Sequence, residues 1–201
     1  MLSVAVRLAP LCALLACQSP SLVTGRGVVL QSVLGPAGSA RVDVAVAQAS
    51  LFIGSAHVVS DRGAADPRAT ANAVMLPAAG SVESVLAEAP PGLYSAVVLD
   101  LGDGVHPGVE IFGSFNGAPL NVMLQASGIV VRCSPAVRLE PGGTVQLSLG
   151  ALSDGWLDSV DLQHAVSDGD ERGLLIDADD NAALAPIILS RVAASFSLDC
   201  R

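Results

Sequence analysis

The chain has 201 residues, with 10 basic and 19 acidic side chains, a formal net charge of −9 and no lysine. Without lysine there is no Schiff-base, Ser–Lys or P-loop chemistry, and the acidic balance excludes the basic surface that nucleic acid demands. Apolar residues make up 51% of the chain but aromatic ones 3%, so the core must be Val, Leu, Ile and Ala, and an outer-membrane barrel would lack its aromatic girdles.

The first segment reads as an export signal. Met1–Arg7 carries one cation, Leu8–Ala16 is apolar and too short to span a bilayer, and Leu14-Leu15-Ala16-Cys17 closes it. That closing pattern resembles the lipobox of bacterial lipoproteins, with Leu at −3, a small residue at −1 and the obligatory Cys; Leu15 at −2 is bulkier than the commonest residue there. The resemblance implies cleavage before Cys17, diacylglycerol and palmitate-type acylation on that residue, and attachment to a bacterial cell envelope. It further implies outer-membrane sorting, because Gln18 stands where Asp would favour retention at the inner membrane. Losing Arg7 leaves the mature chain one unit more negative. The expected organisation is a signal peptide (1–16), a lipidated tether (17–26) and a single β-sandwich domain (27–201).

After the tether, Val28–Leu34 is a first apolar run ended by Gly35-Pro36. Period-two alternation follows: Val42, Val44 and Val46, then a parity flip to Ala49, Leu51 and Ile53, which predicts a bulge near Gln48. Further alternating runs are Val97–Leu101, Leu120–Leu124 and Val145–Leu149, the last after Pro141-Gly142-Gly143. Short strands with regularly spaced turns predict an all-β, antiparallel β-sandwich. Pro90-Pro91-Gly92-Leu93-Tyr94 resembles the Pro-x-Gly-x-Tyr turn of exported β-sandwich modules, and Tyr94 is expected at a sandwich corner with its hydroxyl on nearby backbone. Gly113-Ser114-Phe115-Asn116-Gly117 misses the Gly-x-Ser-x-Gly register of a nucleophile elbow and predicts a hairpin turn instead.

Three segments break the rhythm. Ser60–Asn72 is polar and predicts an exposed loop or long hairpin. Asp154–Asp180 predicts a long acidic connection, with Trp156 capping the core. Asn181–Ala194 has the helical spacing Leu184, Ile188, Val192 and predicts one C-terminal helix, with Asn181 as candidate N-cap or a start nearer Pro186.

With Cys12 removed and Cys17 acylated, Cys133 and Cys200 remain. Each shares a strand parity with apolar neighbours (Ile129 and Val131; Phe196 and Leu198), and an exported compartment is oxidising, so they are expected to pair and to pin the last strand to a central one. Metal ligation or nucleophilic catalysis is the competing reading, with no His beside either thiol.

The acidic segment holds the best site candidates. A calcium site from Asp168, Asp170, Asp177, Asp179 or Asp180 is one reading, since a divalent ion relieves crowded carboxylates; a solvated acidic loop is the other. Asp168-x-Asp170-x-x-Gly173 resembles an EF-hand loop, but Arg172 occupies a ligand position, Asp179 replaces the bidentate Glu and no helix pair flanks it. Leu99-Asp100-Leu101-Gly102-Asp103-Gly104 lacks the third glycine of a dinucleotide fingerprint and predicts a β-turn between antiparallel strands. His57, His106 and His164 form no motif, so no catalytic residue is assigned.

Taken together, these features imply a lipid-anchored envelope protein, joined to the membrane through Cys17, with a non-enzymatic binding, adhesion or structural domain for an unknown protein or glycan partner. The alternatives are a calcium-dependent binding domain using residues 168–180, and an envelope hydrolase whose site converges from distant segments.

Overall fold

The computed structural model describes residues 27–61, 70–71, 73–86, 89–166 and 173–201. The lipobox, Cys17, Asp168 and Asp170 lie outside them. The alternating runs become strands of two sheets, curled into a sandwich-like arrangement with one C-terminal helix.

The smaller sheet contains β1 (Gly27–Leu34), β5 (Gly80–Leu86), β10 (Thr144–Ala151) and β12 (Phe196–Cys200), in the order β12-β10-β1-β5. Its buried residues, Val28, Leu30 and Leu34 on β1 and Val145, Leu147, Leu149 and Ala151 on β10, keep period two along both strands. Burying each such Val or Leu contributes about 1.5–3 kcal/mol, which the paucity of aromatics makes the main cohesive term. β1 pairs with β10 in parallel, a departure from the antiparallel expectation. Parallel neighbours need a long crossover, and here most of the chain lies between them.

The larger sheet is organised by β2 (Val44–Ser60). The bulge predicted near Gln48 is present as a register shift between Val46 and Gln48. A second shift, between Ile53 and Ser55, was not read from the sequence. Each inserts one residue and so flips the buried parity, from Val44 to Ala49, Leu51 and Ile53, and then to Ala56 and Val58. Gly54 lies at the second bulge because a Cβ there would sit 2.2 Å from the Gly102 carbonyl oxygen.

Along one edge of β2 run β6 (Gly92–Leu101) and β7 (Val109–Phe115), end to end. Phe52 shows why. Its N–H donates to Gly108 O (2.8 Å) and its carbonyl accepts from Gly102 N (3.0 Å), so both flanks of residues 103–107 meet one residue on one edge. The expected turn is present, closed by an antiparallel bridge between Gly102 and Pro107 and by the Asp103 N–H on His106 O, but it does not join an antiparallel strand pair: β6 and β7 share β2 as partner, and the loop is extruded from the sheet. Gly108 permits this close return, since a Cβ there would lie 2.3 Å from Leu101 backbone.

β8 (Ala118–Leu124) and β9 (Ala126–Leu139) run back along β7 and β6 in turn. Asn116 and Gly117, with φ of 50° and 82°, form the expected two-residue hairpin turn between β7 and β8. On the opposite edge of β2 lie β3 (Thr70–Ala71), paired with Ala56 and His57 as a long hairpin requires, and β4 (Val74–Pro77). β11 (Leu174–Ile176) joins β8 in parallel. Gly173 precedes it because a Cβ would meet the Pro119 carbonyl oxygen at 2.1 Å. Contact with β8 thus accounts for the glycine of the EF-hand-like spacing.

Among the described residues the one α-helix, α1, spans Ala185–Ser195 and buries Ile188 and Val192. Pro186 stands in its first turn, where no N–H is needed. Asn181 is not its N-cap. It adopts φ 52°, and its amide bonds Val166 N, Val166 O and Leu175 O, tying the acidic connection to β11. That connection also carries buried Trp156, Leu157, Val160 and Leu162, so its first part is core wall. Tyr94 is buried with its hydroxyl donating to Pro90 O (2.6 Å), as its turn predicted. Cys133 and Cys200 form the expected disulfide, with Cα atoms 6.1 Å apart. It joins β12 to β9, which is the terminal strand of its sheet rather than a central one, so the bond clamps one sheet edge to the other.

Candidate functional site

The extruded loop leaves a hollow beside the β8–β9 corner, and α1 begins on its far side. Between them is an open cavity of about 630 Å³. Val105, Pro107, Met123, Leu124, Ala182 and Leu189 supply most of its apolar wall, while Gln125, Asp177 and Asp179 are its polar lining. These residues come from three separate stretches, 105–107, 123–125 and 177–189, and the charge pattern of the sequence marks only the two aspartates. No motif marks the others; only the extrusion at Gly102 and Gly108 brings them together.

The acidic residues are divided by their bonding. Asp177 Oδ1 accepts from the backbone N–H of Asp179 (2.8 Å) and of Asp180 (2.7 Å), which fixes the turn before α1. Asp158 Oδ1 accepts from Ser39 Oγ and Ala40 N, far along the chain. Asp161 holds the His164 ring at 2.7 Å, and the bond to that ring lowers its carboxyl pKa. Arg41, unremarked in the sequence, organises this end. It grips both oxygens of Asp43 through Nε and Nη2 and donates through Nη1 to the carbonyls of Leu157 and Val160. Among the described residues, no three His, Cys, Asp or Glu side chains gather closely enough to hold a metal ion.

Ser55, His57 and Asp100 form the one Ser/His/Asp grouping among the described bonds. Ser55 Oγ donates to Asp100 Oδ2 (2.7 Å) and lies 3.3 Å from His57 Nε2, with His57 4.0 Å from the same carboxylate. A hydrolytic relay needs the imidazole between nucleophile and acid; here the serine is between. Ser55 and then Gly128 N–H hold the Asp100 carboxyl below its ordinary range, so it is a poor base. The grouping staples β2 to β6 and β9 on the outer sheet face.

Asp103 anchors the extruded loop. Its carboxylate accepts from the backbone N–H of His106 (2.7 Å), the His106 ring (3.0 Å) and Val105 N–H (2.9 Å), which lower its pKa to about 2. The His106 ring also packs 5.0 Å from Phe52. A carboxyl depressed in the fold contributes stability that is complete above about pH 4 and is lost as pH falls through its folded value. Carboxyl NMR should find Asp103 titrating near pH 2, with the 103–107 amides losing protection over that same window. Titration at the ordinary 3.8 would show that these bonds do not persist in solution.

Against protein-family models, curated proteins and solved structures, the chain finds no match.

Proposed function

We propose that this chain is a lipid-anchored bacterial envelope protein, tethered through Cys17, whose β-sandwich is a non-enzymatic binding module with the cavity beside α1 as its binding site. The observation that carries the binding reading is the cavity itself. Its volume of about 630 Å³ falls within the few hundred to a thousand Å³ of small-molecule sites, and its lining is apolar with a few convergent polar groups. Its walls are supplied by the β8–β9 corner, the extruded loop and α1. The anchoring reading is supported by the lipobox resemblance of Leu14-Leu15-Ala16-Cys17.

Two measurements test it. Full chain expressed in a lipoprotein-processing bacterium should sediment with membranes and carry diacylglycerol on residue 17, and Cys17→Ala should abolish both; a soluble, unmodified wild type overturns the anchoring. The unacylated Cys17→Ala full chain, titrated with 1-hexanol, should show saturable amide shifts at Met123, Gln125, Ala182 and Leu189. Unsaturable shifts scattered over the surface overturn the site.

A calcium-dependent binding domain is the second reading, favoured by Asp177 and Asp179 sharing the cavity lining. Thermal unfolding in EDTA and then in millimolar calcium decides it. Saturation at a hundred times Kd raises the midpoint by roughly 5–10 °C for a domain of this size; coincident curves retire it.

A further inference from the structure

We infer that the extruded loop, residues 103–107, is a lid on the cavity beside α1, and that Val105 closes onto the aliphatic chain of a bound ligand; this rests on the binding reading above. Val105 lines the cavity yet is 81% exposed, so an apolar side chain stands at the open mouth with little covering it. The rest of the wall is fixed. Leu124 belongs to the buried core, Leu189 of α1 packs against that core, and the unbranched Met123 between strand and cavity adjusts to the shape of a chain. With the cavity empty, closure gives the two Val105 methyl groups nothing to pack against, because a gap forfeits the contacts on one side. An aliphatic chain in the cavity supplies them, and closing then removes apolar surface of both ligand and loop from water. The ligand thus favours the closed state over the open one, which is what a ligand-driven closure requires.

The bonding of the loop lets it move as one body. Asp103 Oδ1 accepts from the N–H groups of Val105 (2.9 Å) and His106 (2.7 Å), Oδ2 meets His106 Nδ1 (3.0 Å), and the Asp103 N–H donates to His106 O (3.3 Å). Each of these bonds begins and ends inside the loop, so a swing of the whole loop breaks none of them. Its flanks are held in place: Gly102 N–H donates to Phe52 O (3.0 Å) and Gly108 N–H to Leu124 O (2.8 Å). Glycine therefore stands at both pivots, Gly102 already at φ 90°, where backbone rotation meets the least steric resistance. Among the described contacts, what seats residues 103–107 on the sheet is the His106 ring against Phe52, at 5.0 Å, with the His106 side chain still more than half exposed. A preformed loop on two glycine pivots with one ring contact beneath it is poised to swing.

The test uses the Cys17→Ala full chain with 1-hexanol as probe, read by NMR. In the free protein a soluble gadolinium chelate should strongly attenuate the Val105 methyl signals. At hexanol saturation that attenuation should fall several-fold, and contacts between the methyl groups of Val105 and Leu189 should appear. Val105→Ala should bind hexanol about three- to tenfold more weakly, the range that partial burial of two methyl groups allows. Its thermal midpoint without ligand should match that of the parent, since position 105 is exposed and contributes little to the fold. The variant therefore reports closure rather than folding. Saturable shifts at Met123 and Leu189 with Val105 still fully attenuated overturn the lid while leaving the cavity a binding site. Unchanged hexanol affinity in Val105→Ala overturns it equally. Absence of saturable shifts at Met123 and Leu189 in the parent overturns the binding reading itself.

Discussion

Replacing Cys133 and Cys200 together by Ser is expected to lower stability by about 4 kcal/mol, and the thermal midpoint by roughly 8–16 °C. The bond closes a loop of sequence separation 67, and a cross-link that long removes more entropy from the unfolded chain than one closing a tight turn. The folded state loses something specific as well. β12 has five residues and pairs only with β10 among the described residues, while β9 pairs only with β6. Without the covalent link the two sheet edges are joined by packing alone, with Leu198 and Ile129 as the partly buried neighbours of the core there. Hydrogen exchange should therefore accelerate most at Phe196–Cys200 and least at Leu99 and Val122, deep in the larger sheet. Urea unfolding of the oxidised protein, the reduced protein and the double-Ser variant measures the first effect. Coincident midpoints for all three would show that the edges need no clamp.

What the sequence disclosed divides along a physical line. Period-two burial is a local property, so the strands and the bulge near Gln48 were legible from alternating residues, as was the parity that placed both cysteines on apolar faces. Gly54 shows the limit. The second bulge is forced by the approach of the Gly102 carbonyl, nearly fifty positions along, and a single glycine between Ile53 and Ser55 says nothing about what will face it. The same holds for the site. Asp177 and Asp179 stood out as charge, but the aliphatic wall around them is assembled by the end-to-end placement of β6 and β7, and a Met or a Leu in an alternating run looks like any core residue. Arg41 was equally silent in sequence, since its bonds to the carbonyls of Leu157 and Val160 exist only because the acidic connection folds back over the end of the sandwich. Asn181 misled for the converse reason: a residue type that caps helices is also one that tolerates φ of 52° and bridges loops.

Trp156→Ala is expected to cost about 3–5 kcal/mol, comparable to losing the disulfide but by a different route. Trp156 is 1% exposed and is the chain's one tryptophan. It sits in the connection after β10, in the cluster that includes Leu157, Val160, Ile188 and Val192, so it joins the acidic connection to α1. Its Nε1–H donates to Ser195 Oγ (3.0 Å), and that hydroxyl donates in turn to Val192 O, closing the last turn of the helix. Truncation thus opens a large void under α1 and removes the donor that fixes Ser195. Trp156→Phe separates the two effects. It keeps most of the apolar bulk and forfeits the hydrogen bond, for which a loss of about 1–2 kcal/mol is expected. Because α1 also forms one wall of the cavity through Leu189, the Ala variant should weaken 1-hexanol binding before it unfolds the strands. Circular dichroism follows the unfolding, since the variant has no indole to report it. A Trp156→Ala protein with unchanged stability and unchanged hexanol affinity would mean that α1 is held by its neighbours in chain alone, and that the cavity wall is independent of the sandwich core.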